Sequence, residues 1–216
     1  MTDGKIFELR PFHSADRARV RELCCETGCL GHPIDPVFED RALFADYLTA
    51  YYTDWEPESA FVLLVNGDIR GYLLGSRRPF RQQLYNLFNN LRLLAKGAFR
   101  YPSYNAASKK FIRWILTQAW REVPAAPRRT AHFHFNVLPE SRKVATTKAL
   151  TEAYFEHLRA NGEKRVYGQI VVFEDRRGAK LFERYGFKIL NKSEITKYRH
   201  LHPERVYLCT VVKELP

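Results

Sequence analysis

The chain has 216 residues, of which 45% are hydrophobic and 14% aromatic, so it can bury one substantial core, and we expect a single domain over residues 1–216. It contains no uninterrupted apolar run of about 20 residues, as a membrane span needs, and no secretory signal near its beginning, so we expect a cytoplasmic protein. The formal net charge of +11 indicates an anionic partner: a phosphorylated cofactor or an anionic membrane surface fits, whereas the lack of a nucleic-acid-binding motif argues against nucleic acid.

The chain opens with a strand followed by two helices. Apolar residues in 5–12 predict a short strand, and Ser14 is a typical first residue for the helix that follows. After a loop rich in glycine and proline, apolar residues in 38–51 recur at helical spacing, which predicts a second helix.

Three of the four cysteines lie close together in the segment CCETGC, residues 24–29. With His32 this segment has the pattern C-x3-C-x2-H, but a zinc site needs a fourth ligand, and the neighbouring sequence offers only acids such as Asp35. The crowding is also a poor disulfide framework. We therefore expect reduced thiols and no metal.

A β-hairpin is the strongest local signal in the sequence. The runs 60–65 and 69–75 are rich in β-forming residues, and Asn66 and Gly67 lie between them. An Asn-Gly pair supplies the positive φ angles of a tight turn, so we expect two antiparallel strands here.

Residues 77–121 interrupt this pattern with two helical segments, which predicts an inserted helical pair. An apolar stripe runs along the first helix and is formed by Phe80, Leu84, Leu87, Leu91 and Leu94. Basic residues accompany this stripe, namely Arg77, Arg78, Arg81, Arg92 and Lys96. Two interpretations are open: the stripe packs on the core, or the helix binds a membrane surface or a lipid-like substrate.

The second half of the chain mixes strands with helices. The predicted elements are a strand over 131–137, a helix over 141–159, a strand over 165–173, a short helix over 175–185, and strands over 187–190 and 206–212. Together with the hairpin, this order favours an α/β (α+β) fold with a mixed, mostly antiparallel central sheet, helices on both faces and one parallel crossover.

The connection between the strand ending at Val137 and the next helix is the best candidate for an anion site. A helix start presents unpaired backbone N–H groups and the positive end of the helix dipole, which suits a pyrophosphate. Arg142, Lys143 and Lys148 add positive charge beside that helix start.

Two histidines lie on one face of the preceding strand. His132, His134 and Asn136 alternate with apolar residues, and side chains of a strand alternate between its faces. The pKa of histidine suits a general base, whereas the alternative is a pair of hydrogen-bonded structural histidines.

Two segments carry a resemblance to a known family. Residues 179–187, AKLFERYGF, are similar to the A-x-x-F-Y-E-x-x-G-F region of the GNAT N-acetyltransferases, and YTDWEPESAFVLLVNGDIRGYLLGS resembles the family's second and third strands. With HFHFNVLPE and the order of elements, the resemblance extends over nearly the whole chain. It implies a GNAT-like sheet with the helical pair 77–121 inserted before the fourth strand, and transfer of an acetyl or other acyl group from acyl-CoA to a primary amine.

The resemblance also implies a cofactor site. The pantetheine arm of acetyl-CoA would lie along Phe135, Asn136 and Val137, and the pyrophosphate-binding loop would be Arg142, Lys143, Val144, Ala145, Thr146 and Thr147, with Asp175 near the cofactor. Two departures stand out in this loop. Ala145 and Thr147 replace the two glycines whose missing side chains normally let phosphate oxygens approach the backbone.

For catalysis, the resemblance places the general base on the strand with His132 and His134. The tyrosine that often serves as general acid is replaced by Phe182, which cannot protonate a thiolate, and Tyr185 is the nearest substitute or else a packing residue. Candidate acceptor-binding residues are Glu56, Glu58 and Tyr52, with a solvated loop as the alternative for the two glutamates.

Several alternatives stay open from the sequence. The departures in the loop and at the general acid also fit a non-catalytic GNAT-like binding or regulatory module. The basic helix fits a membrane-surface binder. The acceptor, whether a small molecule or a peptide amine, and the oligomeric state, a homodimer included, are not determined by residue types.

Overall fold

We describe a computed structural model of the chain over residues 7–173 and 182–216. In this part of the chain the strands are β1 (Phe7–Pro11), β2 (Ala60–Val65), β3 (Asp68–Ser76), β4 (Ala131–Val137), β5 (Arg165–Phe173), β6 (Lys188–Glu194) and β7 (Val206–Glu214). They form a sheet in the order β1-β2-β3-β4-β5-β7-β6. Neighbouring strands are antiparallel except β4 and β5, which are parallel.

The helices lie on both faces of this sheet. They are α1 (Arg17–Glu26), α2 (Arg41–Asp54), α3 (Pro79–Arg100), α4 (Ala106–Thr117), α5 (Ala119–Glu122) and α6 (Val144–Ala160). One core lies between the sheet and α1 and α2, and includes Leu23 and Tyr72. A second core lies on the α6 face, where Leu150 and Tyr154 are fully buried. The mostly antiparallel sheet with helices on both faces and one parallel crossover is as expected.

The local predictions agree closely with the structure in the centre of the chain. Asn66 and Gly67 have φ angles of 54° and 84°, as the predicted hairpin turn between β2 and β3 requires. The strands predicted over 131–137 and 165–173 have the bounds of β4 and β5.

Three boundaries differ from the prediction for physical reasons. Helix α2 begins at Arg41 because the Asp40 side chain accepts a hydrogen bond from the backbone of Leu43 and caps it. Helix α6 begins at Val144, since a 3-10 turn occupies Pro139–Ser141. Strand β6 extends to Glu194 because it pairs with β7 as far as Tyr207. Most of the helix predicted over 175–185 lies outside the described residues.

The inserted helices α3 to α5 fall within the predicted segment 77–121, apart from the last residue of α5. The interpretation that the apolar stripe of α3 packs on the core is wrong. Leu84, Leu87, Leu91 and Leu94 are exposed, while Asn89 on the opposite side is buried. The stripe faces away from the protein.

The four cysteines are free thiols with buried side chains. Burial raises the pKa of Cys24 to about 12, so this thiol is inert at neutral pH. Within the described ranges, His, Cys, Asp and Glu side chains form no group that could hold a metal ion. No helix in those ranges is both long enough and apolar enough to cross a membrane.

Candidate functional site

The parallel strands β4 and β5 separate after a short paired segment. Only residues 131–133 of β4 pair with β5, through Val166 to Gly168, although β4 continues to Val137 and β5 to Phe173. On its other side β4 is paired with β3 from His132 to Val137. In the described part of the chain, β4 therefore has an unpaired edge from His134 onward, and we call the space beside it the strand gap.

The hydrogen-bond pattern shows which backbone groups point into the strand gap. The N–H of Leu138, just after β4, donates to the carbonyl of Arg70 in β3 over 2.9 Å. In an antiparallel pair, alternate residues direct their backbone groups to the partner, so those of Phe135 and Val137 point away from β3. The Val137 carbonyl accepts a hydrogen bond from Nη2 of Arg142 over 3.0 Å. The gap thus offers an extended ligand a polar strand edge.

Asn136 differs from its two neighbours in this arrangement. By the same alternation its backbone faces β3, and its side chain donates to Oη of Tyr72 over 2.9 Å. Of the three residues predicted to hold a pantetheine arm, Phe135 has both backbone groups free in the strand gap. Val137 has only its N–H free, since Arg142 occupies its carbonyl, and Asn136 is engaged within the sheet.

Two residues, Arg142 and Lys143, separate the start of α6 from the 3-10 turn (Pro139–Ser141) that follows β4. Its first backbone N–H groups, at Val144 to Thr146, have no acceptor inside the helix. The Thr146 hydroxyl folds back, donating to the Ser141 carbonyl over 2.9 Å and accepting from the Lys143 N–H over 3.1 Å. The side chain of Thr146 therefore caps the helix, and its backbone stays available to an anion. Lys143 and Lys148 are exposed.

The two missing glycines fall inside the first turn of α6. Ala145 and Thr147 are the second and fourth residues of that helix. Within the described residues, the non-glycine residues with a positive φ angle are Leu30, Asn66 and Arg129, so Ala145 and Thr147 are not among them. The backbone therefore does not require glycine at 145 or 147, and the departure affects only the space above the helix start.

Beneath the strand gap, on the α1 and α2 face, the buried His132 and the partly buried His134 contact an aromatic cluster. His132 Nε2 lies 2.9 Å from Oη of Tyr52 and 3.0 Å from Nε2 of Gln82. The ring of His134 lies between those of Tyr52 and Tyr72, with centroid distances of 5.2 and 5.8 Å. Nδ1 of His132 and Nε2 of His134 are buried without a hydrogen-bond partner in the described chain. Such orphan atoms are what a bound polar group would satisfy.

Burial sets the charge of both histidines. It lowers the pKa of His132 to about 4 and that of His134 to about 3, the latter also through the neighbouring His132. Both imidazoles are therefore neutral at pH 7. With Gln82 donating to Nε2 of His132, the proton of His132 lies on Nδ1.

Glu56 is fully buried, so the solvated loop offered as its alternative is wrong. Its Oε1 accepts hydrogen bonds from Oγ of Ser59 and from the backbone N–H of Arg77, at 3.0 and 2.8 Å. Its Oε2 accepts from Oη of Tyr51 and Oγ of Ser76, at 2.6 and 2.7 Å. Burial alone would raise the pKa of Glu56, but these four donors outweigh it and the pKa is lowered. Glu56 holds the ends of β2 and β3 together.

Glu58 and Tyr52, the other predicted acceptor-binding residues, have different surroundings. The exposed carboxylate of Glu58 forms an ion pair with Arg78, just before α3, at 3.2 Å. Tyr52 is buried, and its hydroxyl joins His132 to Gln82. The structure therefore brings Tyr52 and the histidines together and leaves Glu58 at the surface.

Tyr185 packs partly buried against the second core, and its backbone carbonyl accepts a hydrogen bond from Nζ of Lys213 over 2.6 Å. Phe182 is buried in the same core. These contacts are those of packing residues. Asp175, predicted to lie near the cofactor, falls outside the described residues.

Sequence reasoning missed two residues of this cluster. Tyr167 on β5 faces His132 at a centroid distance of 5.3 Å, and strand alternation in 165–173 could have indicated it. Gln82 reaches His132 from the inserted helix α3, and no local pattern marks that contact because it joins elements 50 residues apart.

These features belong to a known class of fold. No protein-family model matches the sequence, and no curated protein matches it in a sequence search. Solved structures that match over nearly the whole chain include an acetyltransferase of the GNAT family from Streptococcus pneumoniae, with a TM-score of 0.53. The chain has the GNAT fold, as the resemblance in its sequence implied.

Three of the similar solved structures show how far this likeness extends. SsHAT is 22% identical, with a TM-score of 0.64 and 97% of this chain and 98% of that chain covered. The polyamine N-acetyltransferase of Drosophila melanogaster, which catalyses the formation of N-acetylagmatine, is 17% identical, with a TM-score of 0.61 and 97% and 100% covered. YncA from Salmonella typhimurium, with its cofactor acetyl-CoA, is 14% identical, with a TM-score of 0.56 and 97% and 94% covered.

Proposed function

We propose that this chain is an N-acyltransferase that transfers an acetyl or other acyl group from acyl-CoA to a primary amine. The observation that carries the proposal is the strand gap, whose unpaired edge on β4 leads to the basic start of α6. An acyl-CoA needs both features, an extended polar edge for its amide-containing arm and a cluster of N–H donors for its pyrophosphate.

The residues around the strand gap fit such a donor. The backbone groups of Phe135 and the N–H of Val137 would pair with the pantetheine arm, while the Val137 carbonyl accepts its hydrogen bond from Arg142. The free N–H groups at the start of α6, with Arg142 and Lys143, would bind the pyrophosphate. The side chains of Ala145 and Thr147 leave this backbone less accessible than glycine would, so we expect the anchoring to rely more on the basic side chains.

The proposed acyl transfer does not require an ionised side chain. The amine nitrogen attacks the thioester carbon, a C–N bond forms, and the C–S bond breaks to release the CoA thiolate. Holding the two reactants in line supplies much of the rate, and a backbone N–H of the strand edge stabilises the oxyanion. The proton leaves the amine for the neutral Nε2 of His134, directly or through water, and His132 keeps the cluster positioned.

The proposed acceptor is a primary amine, the group that an N-acyltransferase acylates, and similar solved structures support this choice. Solved structures with this fold include enzymes named for polyamines, agmatine and an alanine of ribosomal protein S18. Glu58 is the carboxylate that we propose to contact a cationic amine, because its side chain is exposed and exchanges Arg78 for another cation at low cost. Glu56 is unsuited to this role, since its oxygens are occupied by four donors.

The test is release of CoA thiol from acetyl-CoA in the presence of a panel of polyamines, arylalkylamines and peptides. We expect at least one amine to give turnover, and His134→Gln to lower kcat because glutamine is a far weaker base. An exposed residue supplies the control variant, His13→Gln. If acetyl-CoA binds but no amine or peptide gives turnover, the non-catalytic GNAT-like module is the better account, and Phe182 in place of the usual tyrosine favours it.

A further inference from the structure

The inserted helix α3 presents its apolar side to solvent. Seven large apolar residues along its 22 positions are exposed: Phe80, Leu84, Leu87, Phe88, Leu91, Leu94 and Phe99. Phe88 and Phe99 are 65% and 89% exposed. At 3.6 residues per turn these positions follow one side of the helix over about 29 Å. A contiguous apolar stripe of this length on a protein surface marks a contact with another phase or molecule.

The other side of α3 explains why the helix is fixed in this orientation. Gln82 reaches into the protein to Tyr52, and Asn89 and Leu93 are buried. Arg92 and Arg100 form ion pairs with Asp46 and Asp40 of the body, at 3.6 and 2.7 Å. Polar contacts therefore hold the helix on the protein and leave the apolar stripe outward, the reverse of a helix that packs on a core.

The shorter helices of the insertion also expose large apolar side chains. Trp120 of α5 is 75% exposed, and Ile115 and Leu116 of α4 are also exposed. Tryptophan is enriched where a protein meets the headgroup region of a bilayer. The insertion thus exposes an aromatic residue suited to an interface in addition to the stripe on α3.

The charge of the insertion identifies the kind of partner. Residues 77–121 contain ten Lys and Arg residues and no Asp or Glu, while the remainder of the chain has 25 basic and 24 acidic residues. Nearly all of the net charge of +11 therefore lies in the insertion. Lys96, Lys110 and Arg113 form no ion pair within the described residues. These cations are available to an anionic partner.

We propose that the insertion binds the surface of a membrane that contains anionic lipids, with α3 lying in the plane of the headgroups. The apolar stripe enters the boundary between headgroups and acyl chains, and the lysines and arginines contact lipid phosphates. A second copy of the chain fits less well, because the same surface on both copies would bring two basic insertions together, each with cations such as Lys96, Lys110 and Arg113 that form no ion pair in the described part of the chain. The helix lies on the membrane and does not cross it, since no described helix qualifies as a span.

The experiment is sedimentation of the full chain with vesicles of phosphatidylcholine alone or with about one third phosphatidylglycerol. We expect binding to the anionic vesicles that weakens as salt rises, because the attraction of the lysines and arginines is screened. The variant Leu87→Ser/Phe88→Ser/Leu91→Ser should lower the partition coefficient at least about tenfold, since it removes apolar side chains from the lipid boundary. Lys96→Glu/Lys110→Glu should weaken binding at low salt in particular.

Matched control substitutions lie on β6, where Leu190 and Lys188 are exposed in the same way. Leu190→Ser and Lys188→Glu should leave vesicle binding unchanged, and circular dichroism with thermal melting checks that each variant is folded. No sedimentation at low salt, or equal sedimentation of the wild type and the triple apolar variant, would overturn the proposal. So would a dimer by analytical ultracentrifugation that the triple variant dissociates, because the stripe would then bind a second copy.

Discussion

Gln82 of α3 donates a hydrogen bond to Nε2 of His132 on β4 over 3.0 Å, and the same amide nitrogen lies 2.9 Å from Oη of Tyr52. The insertion therefore supplies a contact inside the candidate site as well as an outer surface. Because His132 accepts this hydrogen bond, its proton is held on Nδ1, the atom that has no partner in the described chain.

This contact makes Gln82 a positioning residue, and Gln82→Leu tests it. We expect kcat to fall about tenfold with the KM for acetyl-CoA unchanged, because the cofactor contacts lie on Phe135, Val137 and α6. The tautomer of His132, observed by 15N NMR, should become mixed. Gln83→Leu, at the exposed neighbouring position, is the control; equal behaviour of the two variants would show that Gln82 does not position His132.

The two glutamates before β2 should differ sharply in their effect on stability. Each carboxylate oxygen of Glu56 accepts two hydrogen bonds. In Glu56→Gln an NH2 group, which can only donate, takes the place of one oxygen and faces the two donors that this oxygen had accepted from. We expect it to lower the free energy of unfolding by about 3 kcal/mol. Glu58→Gln breaks an exposed ion pair and should cost under about 0.5 kcal/mol. Urea denaturation of both variants measures the difference, and similar losses would contradict the burial of Glu56.

The lowered pKa values of His132 and His134 predict a loss of stability in mild acid. The pKa of His134 falls from 6.5 to about 3 in the folded state, so the unfolded chain binds more protons between those values. The free energy of unfolding should therefore decrease as the pH drops below 6.5, by about 1.4 kcal/mol per pH unit for this histidine. Urea denaturation at about pH 7 and about pH 5 should show a smaller decrease in His134→Gln than in the wild type. An unchanged decrease would mean that His134 is accessible to water.

Short-range signals predicted the elements that position the site. The Asn66-Gly67 turn and the alternation in 131–137 depend on neighbours in sequence, and the structure places both as expected. The role of Arg142 and Lys143 at a pyrophosphate also comes from a local pattern and stays a prediction. The features that local patterns did not predict depend on contacts between residues far apart in sequence. Periodicity showed that α3 has an apolar stripe but not which side of α3 contacts the protein. That orientation depends on ion pairs of α3 with Asp46 in α2 and with Asp40, the N-cap residue of α2.

Glu56 shows the same limit at the scale of one residue. Charge and a preceding loop indicate exposure, but its four donors come from α2, the turn before β2 and the end of β3. Only the fold brings Tyr51, Ser59, Ser76 and Arg77 around one carboxylate. The hydrogen bond between Gln82 and His132 also depends on the fold, since it joins the inserted helix α3 to strand β4.

The central claim, that the strand gap and the start of α6 bind acyl-CoA, is tested most directly by isothermal titration of acetyl-CoA into the purified chain at moderate salt. We expect saturable binding that Lys143→Glu weakens about tenfold, because it reverses a charge at the start of α6. Lys164→Glu, just beyond the other end of the same helix, should bind as the wild type does. Heat of binding that is absent, or equal in the wild type and Lys143→Glu, would contradict the account and leave the GNAT fold without its cofactor site.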